Sequence, residues 1–149
     1  MYRLCLLLCC LFLGCGNPSP YLVRAIVMLD DKPLTEAEVT LIPYQESSPV
    51  PFGITDMQGN VSFTTDDKDG VFPGSYIVVI SKEIEEKMLS NNEIRAFAEV
   101  GIRYRPKMVQ LVPEKYTDSK TSGLKVHVGY WHSPDLTLSL WSNTPPGNF

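Results

Sequence analysis

Side chains able to do chemistry are few in this chain and fall in a few short stretches. His127 and His132 stand five apart in "HVGYWHSPD", with Tyr130 between them. Imidazole suits zinc or iron, and two His with Tyr phenolates could hold iron. Zinc would want a Cys partner or a His-Glu-x-x-His helix, and neither accompanies these histidines. On a continuous strand, side chains at 127 and 132 point to opposite faces, which argues against a shared metal. "TDDKDG", Thr65 to Gly70, places three carboxylates beside a glycine, a composition that suits calcium. The helix-loop-helix calcium pattern needs Glu six residues after its Gly, and Tyr76 occupies that position. We therefore expect a surface turn there, and no metal or cofactor anywhere. No nucleophile stands beside a base and no carboxylate pair is set for acid–base work, so no catalytic residue is assigned and the chain is not expected to be an enzyme.

Two further groups suggest binding. Trp131 and Trp141 are the only tryptophans, and an aromatic face exposed on a sheet can stack on a sugar ring. If Leu136, Leu138 and Leu140 face the core, Trp141 faces the other way, either exposed or covered by the tail. "RYRPK", Arg103 to Lys107, is basic enough to touch acidic headgroups, although a solvated face is the commoner outcome for such a run. With 13 basic and 17 acidic residues and a net charge of -4, the chain has no electrostatic footprint for nucleic acid.

The cysteines are grouped differently. Cys5, Cys9, Cys10 and Cys15 all precede residue 16, and none follows. Arg3 gives a positive start, Leu4 to Leu13 is an apolar run of ten, and Gly14 is a small residue ahead of Cys15, which together read as a signal peptide over 1–14. The run is too short to cross a bilayer as a helix. Gly14-Cys15 resembles the bacterial lipobox, with Phe12 where that pattern usually has Leu. The resemblance implies that Cys15 becomes the lipidated first residue of a mature chain that has no second thiol and so no internal disulfide. Gly16 rather than Asp after the anchor favours the outer membrane by the same resemblance. Residues 15–20 then form a lipid-anchored tether.

These groups must be positioned by strands. Period-two alternation puts Val23, Ala25, Val27 and Leu29 on one face, with Leu22, Ile26 and Met28 opposite, a strand that is central or covered. Val39 and Leu41, Val61 and Phe63, then Tyr76, Val78 and Ile80 repeat the pattern, as do Leu124, Val126 and Val128 and finally Leu136, Leu138 and Leu140. "DDKP", "DMQGN", "DKDG" and "PGS" supply turns, in which glycine is expected to give the positive φ. Between Ser81 and Lys107, Ile84 and Met88 are four apart, and Ile94, Phe97 and Ala98 repeat the spacing. "SNNE" from Ser90 has the form of a capping box. One or two short helices are expected over about 82–107. The fold class is all-β: an antiparallel sandwich of about seven short strands over 21–141 with a short helical insertion, followed by a tail over 142–149.

The order of three motifs adds to this reading. "VMLDDKPLTEAEVTLIP" gives strand, turn and a strand beginning at a small residue before Val39; "GITDMQGNVSFTT" gives a Thr-Asp-x-x-Gly hairpin into Val61 and Phe63; "FPGSYIVVIS" opens a strand with Pro-Gly-x-Tyr. Together they resemble the carboxypeptidase regulatory-like domain, a transthyretin-like or prealbumin-like sandwich. "LVPEKYTDSKTSGLKVHV" is similar to the closing segment of small lipoproteins carrying that domain in planctomycete-type bacteria. The resemblance implies a non-catalytic module: the chain lacks the Tyr-Arg-Gly-Ser ending of transthyretin-like hydrolases, and although Tyr130, His127 and His132 supply the residue types by which dioxygenases on a similar sandwich hold iron with two Tyr and two His, side chains at 127 and 132 would point to opposite faces of a continuing strand. Pro73 and Gly74 are expected to aim Tyr76 inward, Asp56 to bond across its turn, and Tyr116 to lie over the sandwich edge with its hydroxyl outward. The expected function is that of a lipid-anchored protein of the bacterial cell envelope, on its periplasmic or surface side, that acts as an interaction or structural module. Its partners would be the membrane, through Cys15, and an unidentified envelope protein or glycan. The alternative is a surface carbohydrate-binding module using Trp131 and Trp141.

Overall fold

Strands with alternating apolar residues bury one face each, and two such faces packed together make a core. The computed structural model, which describes residues 19–129 and 135–142, is of this kind. In the smaller sheet, β1 (Arg24–Leu29) is central. It is flanked on one side by β12 (Asp135–Leu140) and on the other by β2 (Lys32–Pro33) and β5 (Asn60–Ser62). The larger sheet runs in the order β11 (Lys125–Val128), β8 (Gly74–Ser81), β3 (Glu38–Pro43), β4 (Phe52–Ile54), β6 (Thr64–Thr65) and β7 (Lys68–Asp69). The two sheets share one core, in which Val27, Val39, Leu41, Val78, Ile80 and Leu140 are fully buried. The chain passes from one sheet to the other at Phe63, between β5 and β6, and that ring is buried at the crossing.

The inward positions are those the alternation indicates, and the differences are instructive. Pairing is antiparallel throughout both sheets except that β1 and β12 run parallel, Arg24 opposite Asp135 and Leu29 opposite Leu140. β1 is central, as one of the two expectations had it, and among the described residues its outer face is open, with Ile26 exposed and Leu22 exposed just ahead of the strand. Two of the tight turns use no glycine for positive φ. Asp30 and Asp31, and likewise Asp66 and Asp67, hold φ between 48° and 62°, as a two-residue hairpin of the primed type requires. Asp tolerates this backbone region better than most residues. The "TDDKDG" stretch is therefore the β6–β7 hairpin, with the Thr65 hydroxyl donating to the Gly70 carbonyl at 2.6 Å.

Gly59 has a stricter duty. Its φ is +79°, and a Cβ there would lie 2.7 Å from the Val27 carbonyl oxygen. The Gly59 carbonyl accepts the Val27 N–H at 2.9 Å, so the turn of the β4–β5 hairpin is laid directly on the central strand.

The insertion is an arm. β9 (Glu83–Glu85) continues from β8 and pairs antiparallel with β10 (Met108–Gln110), and between them the chain forms the helix α1 (Asn91–Glu99). Ile84 lies in a strand, so its spacing to Met88 is not helical and only one helix forms. Ser90 caps α1: its hydroxyl accepts the Glu93 N–H while the Glu93 carboxylate accepts the Ser90 N–H at 2.8 Å, a complete capping box. Among the described residues no helix is long and apolar enough to cross a membrane.

Candidate functional site

Three features follow from this frame: the two ends of the sandwich, an outer-face groove, and the arm. At one end, Tyr21 and Val71 exchange two backbone hydrogen bonds of 2.8 Å, fixing the incoming chain just ahead of β8. Tyr76 is buried beside this point and its hydroxyl donates to the Phe72 carbonyl at 2.7 Å. Pro73 and Gly74 thus turn the ring inward as expected, and burial raises its pKa above the ordinary tyrosine value. The arm leaves from Ser81, at the end of β8.

The groove lies on the outer face of the smaller sheet and has a volume of about 560 Å³. The ladder sets its polar rows: Arg24 stands between Asp135 and Ser62, and Ile26 between Thr137 and Asn60. Asp56 closes one side. Its carboxylate accepts the backbone N–H groups of Gln58 and Asn60, both at 2.8 Å, and the Asn60 side-chain amide. Those bonds, Asn60 first, hold its pKa below the usual carboxylate value.

The expected site residues are not brought together. Trp141 is half-buried just past the end of β12, at the far end of that strand from Asp135 and hence from the Arg24 rows of the groove. Its backbone N–H donates to the Tyr116 hydroxyl at 3.2 Å. Tyr116 is itself buried, with the Lys115 ammonium 4.6 Å from its ring centre. The Tyr116 hydroxyl therefore points into the fold, not outward, because it satisfies the strand end that Trp141 continues. Cys15, Tyr130, Trp131 and His132 lie outside the described residues. His127 is exposed on the polar face of β11, with Nδ1 3.1 Å from the Ser75 hydroxyl. Among the described residues no three metal-ligating side chains converge.

The arm is the feature the sequence left unassigned. No residue of α1 is buried. Seven of the fifteen exposed large hydrophobics among the described residues belong to the arm, with Met88 86%, Val100 70% and Ile102 54% exposed. Phe97 stacks on Tyr104 with centroids 6.0 Å apart, and the Tyr104 hydroxyl donates to the Lys87 carbonyl at 3.3 Å. At the outer end of the ribbon, Glu86 pairs with Lys107 at 2.8 Å; the root lies at Ser81 and Lys82. The Lys82 ammonium donates to the Thr35 carbonyl at 2.5 Å. Helical spacing at Ile94 and Phe97 is legible in the sequence; that nothing among the described residues buries them is not. No family model, curated protein or solved structure matches the chain.

Proposed function

We propose that this chain is a lipid-anchored protein of the bacterial cell envelope whose non-catalytic β-sandwich serves as an interaction module. The observation that carries the reading is the arm: Met88, Val100 and Ile102, around a capped helix that carries Ile94 and Phe97, stand exposed, and a cluster of exposed apolar side chains marks a surface for binding. The apolar run ahead of Gly14-Cys15 supports attachment through a lipid on Cys15. An amide-linked chain added to a thioether-linked diacyl group gives stable anchoring where one chain would be marginal. The strand order and the three loop motifs support a domain of the carboxypeptidase regulatory-like, transthyretin-like kind.

From Cys15 to Tyr21 the tether spans six residues, about 20 Å when extended, and it joins the sandwich where Tyr21 pairs with Val71, on the periplasmic or surface side of the membrane in this reading. A second reading, a glycan-binding module, is favoured by the groove, where Arg24, Asp135, Asn60 and Thr137 offer donors and acceptors beside Ile26. Trp141 contributes little to it, since it is half-buried and remote from Arg24.

The test is fractionation of cells expressing the full chain and its Cys15→Ser variant. The reading expects the wild-type protein in detergent-extracted membranes, with a lipid-modified N-terminal peptide beginning at residue 15, and expects Cys15→Ser to lose both. A wild-type protein recovered unmodified in the soluble fraction would overturn it.

A further inference from the structure

The arm carries exposed apolar side chains from Ile84 to Met108 and differs in charge between its tip and its root. From Lys87 to Arg105, which is the tip beyond the β9–β10 ribbon, four residues are basic and two acidic; the rest of the chain has nine basic and fifteen acidic. Among the described residues Arg95, Arg103 and Arg105 make no salt bridge within 4.0 Å. The root is the reverse. Glu36, Glu38 and Glu83 line a groove of about 290 Å³ with Ser81 and Lys82. The Lys82 ammonium is committed to Thr35 and stands 3.9 Å from Glu36, and among the described residues Glu38 and Glu83 have no salt-bridge partner. Exposed cations at the tip, unpaired carboxylates at the root and an uncovered apolar face between them are a self-complementary pattern.

Resting on the reading of the arm as an interaction element, we infer that the arm docks on the arm of a second copy of this chain. The two arms lie antiparallel about a twofold axis, each basic tip against the other's acidic root. An isologous contact of this kind uses the same patch twice, so each favourable charge pairing occurs twice. It also explains the helix. Nine residues with no buried face are marginal as an isolated helix in water, and packing against a second apolar arm supplies the tertiary contact that α1 lacks among the described residues.

The test is reciprocal charge reversal in the full chain, read by crosslinked co-capture of two differently tagged copies in cells. One variant reverses the tip, Arg95→Glu with Arg103→Glu; the other reverses the root, Glu38→Lys with Glu83→Lys. All four residues are exposed, and protease resistance of the sandwich checks folding. Wild type is expected to capture wild type, while either variant captures its own kind about tenfold less or worse, because like charges then face each other at both contacts. Tip-reversed and root-reversed copies should recover capture of each other, because both contacts are then again of opposite sign. Loss without mutual recovery, retention by either variant alone, or no wild-type self-capture each overturns the inference. Should self-capture fail while Val100→Asp still abolishes crosslinking to some other protein, self-docking falls and the interaction reading stands; should Val100→Asp change nothing at all, both fall.

Discussion

Substituting Gly59 tests the packing of the β4–β5 turn on the central strand, and Gly123→Ala is its control. Both glycines have positive φ, +79° and +66°, so alanine costs each about 1 kcal/mol of backbone strain. Around Gly123 a new Cβ meets nothing within 4 Å, and the cost ends there. At Gly59 the Cβ would stand 2.7 Å from the Val27 oxygen, which belongs to the backbone of β1 and cannot swing aside. Moving the turn away stretches the Val27 N–H bond to the Gly59 carbonyl and disturbs the Leu34 N–H bond to the Val27 carbonyl, both 2.9 Å. At about 1 kcal/mol for each bond, Gly59→Ala should cost about 3 kcal/mol in all. For a domain of this size that lowers Tm by about 10 °C, against about 4 °C for Gly123→Ala. Thermal denaturation followed by circular dichroism reads both. Equal losses would refute the argument, since only the close approach to β1 separates the two sites.

Other outcomes follow from the same geometry. Tyr76→Phe leaves the Phe72 carbonyl without its donor and should destabilise the sandwich by about 1 kcal/mol, measured by urea denaturation; Tyr116→Phe should have an effect of the same sign through the Trp141 N–H. Ser90→Ala removes the cap of α1, worth about 1 kcal/mol. It should diminish helical ellipticity and leave the Tm of the sandwich in place, since no α1 residue is buried. Acid should act in the same way. Hydrogen bonds from Ser90 hold the Glu93 carboxyl below its ordinary value, so the stability it gives the helix is present above that ordinary value. That stability is lost as pH falls through the lowered one. Ellipticity from α1 should therefore decline at pH below about 4.5 while the buried sheet signal persists, and a helix signal flat to the lowest pH would count against the capping box.

How far the sequence carried depends on whether a feature is local. Alternation at Val39 and Leu41, at Tyr76, Val78 and Ile80, and at Leu138 and Leu140 reports which side of a strand is apolar, and those side chains are buried. The Ser90 capping box and the Asp56 turn are contained within five residues and were legible for that reason. Parallel pairing of β1 with β12 joins segments more than a hundred residues apart, and no short pattern encodes it. Ile84 and Met88 have helical spacing, yet pairing with β10 holds Ile84 in a strand. Asp30-Asp31 and Asp66-Asp67 adopt positive φ because the hairpins demand it, although glycine is the commoner choice. Tyr116 was expected to point outward because nothing near it in sequence reveals the Trp141 N–H that donates to its hydroxyl. For the arm, periodicity showed an amphipathic helix but not whether another part of the chain covers it.

The most direct test of the arm as the working surface is photocrosslinking in cells. A benzophenone side chain would replace Val100 on the arm in one full-length variant and Ile26 in the outer-face groove in another. The account expects position 100 to yield a discrete crosslinked protein, a second copy of this chain, and position 26 to yield none. Discrete products from position 26 with none from position 100 would contradict it and move the binding surface to the groove.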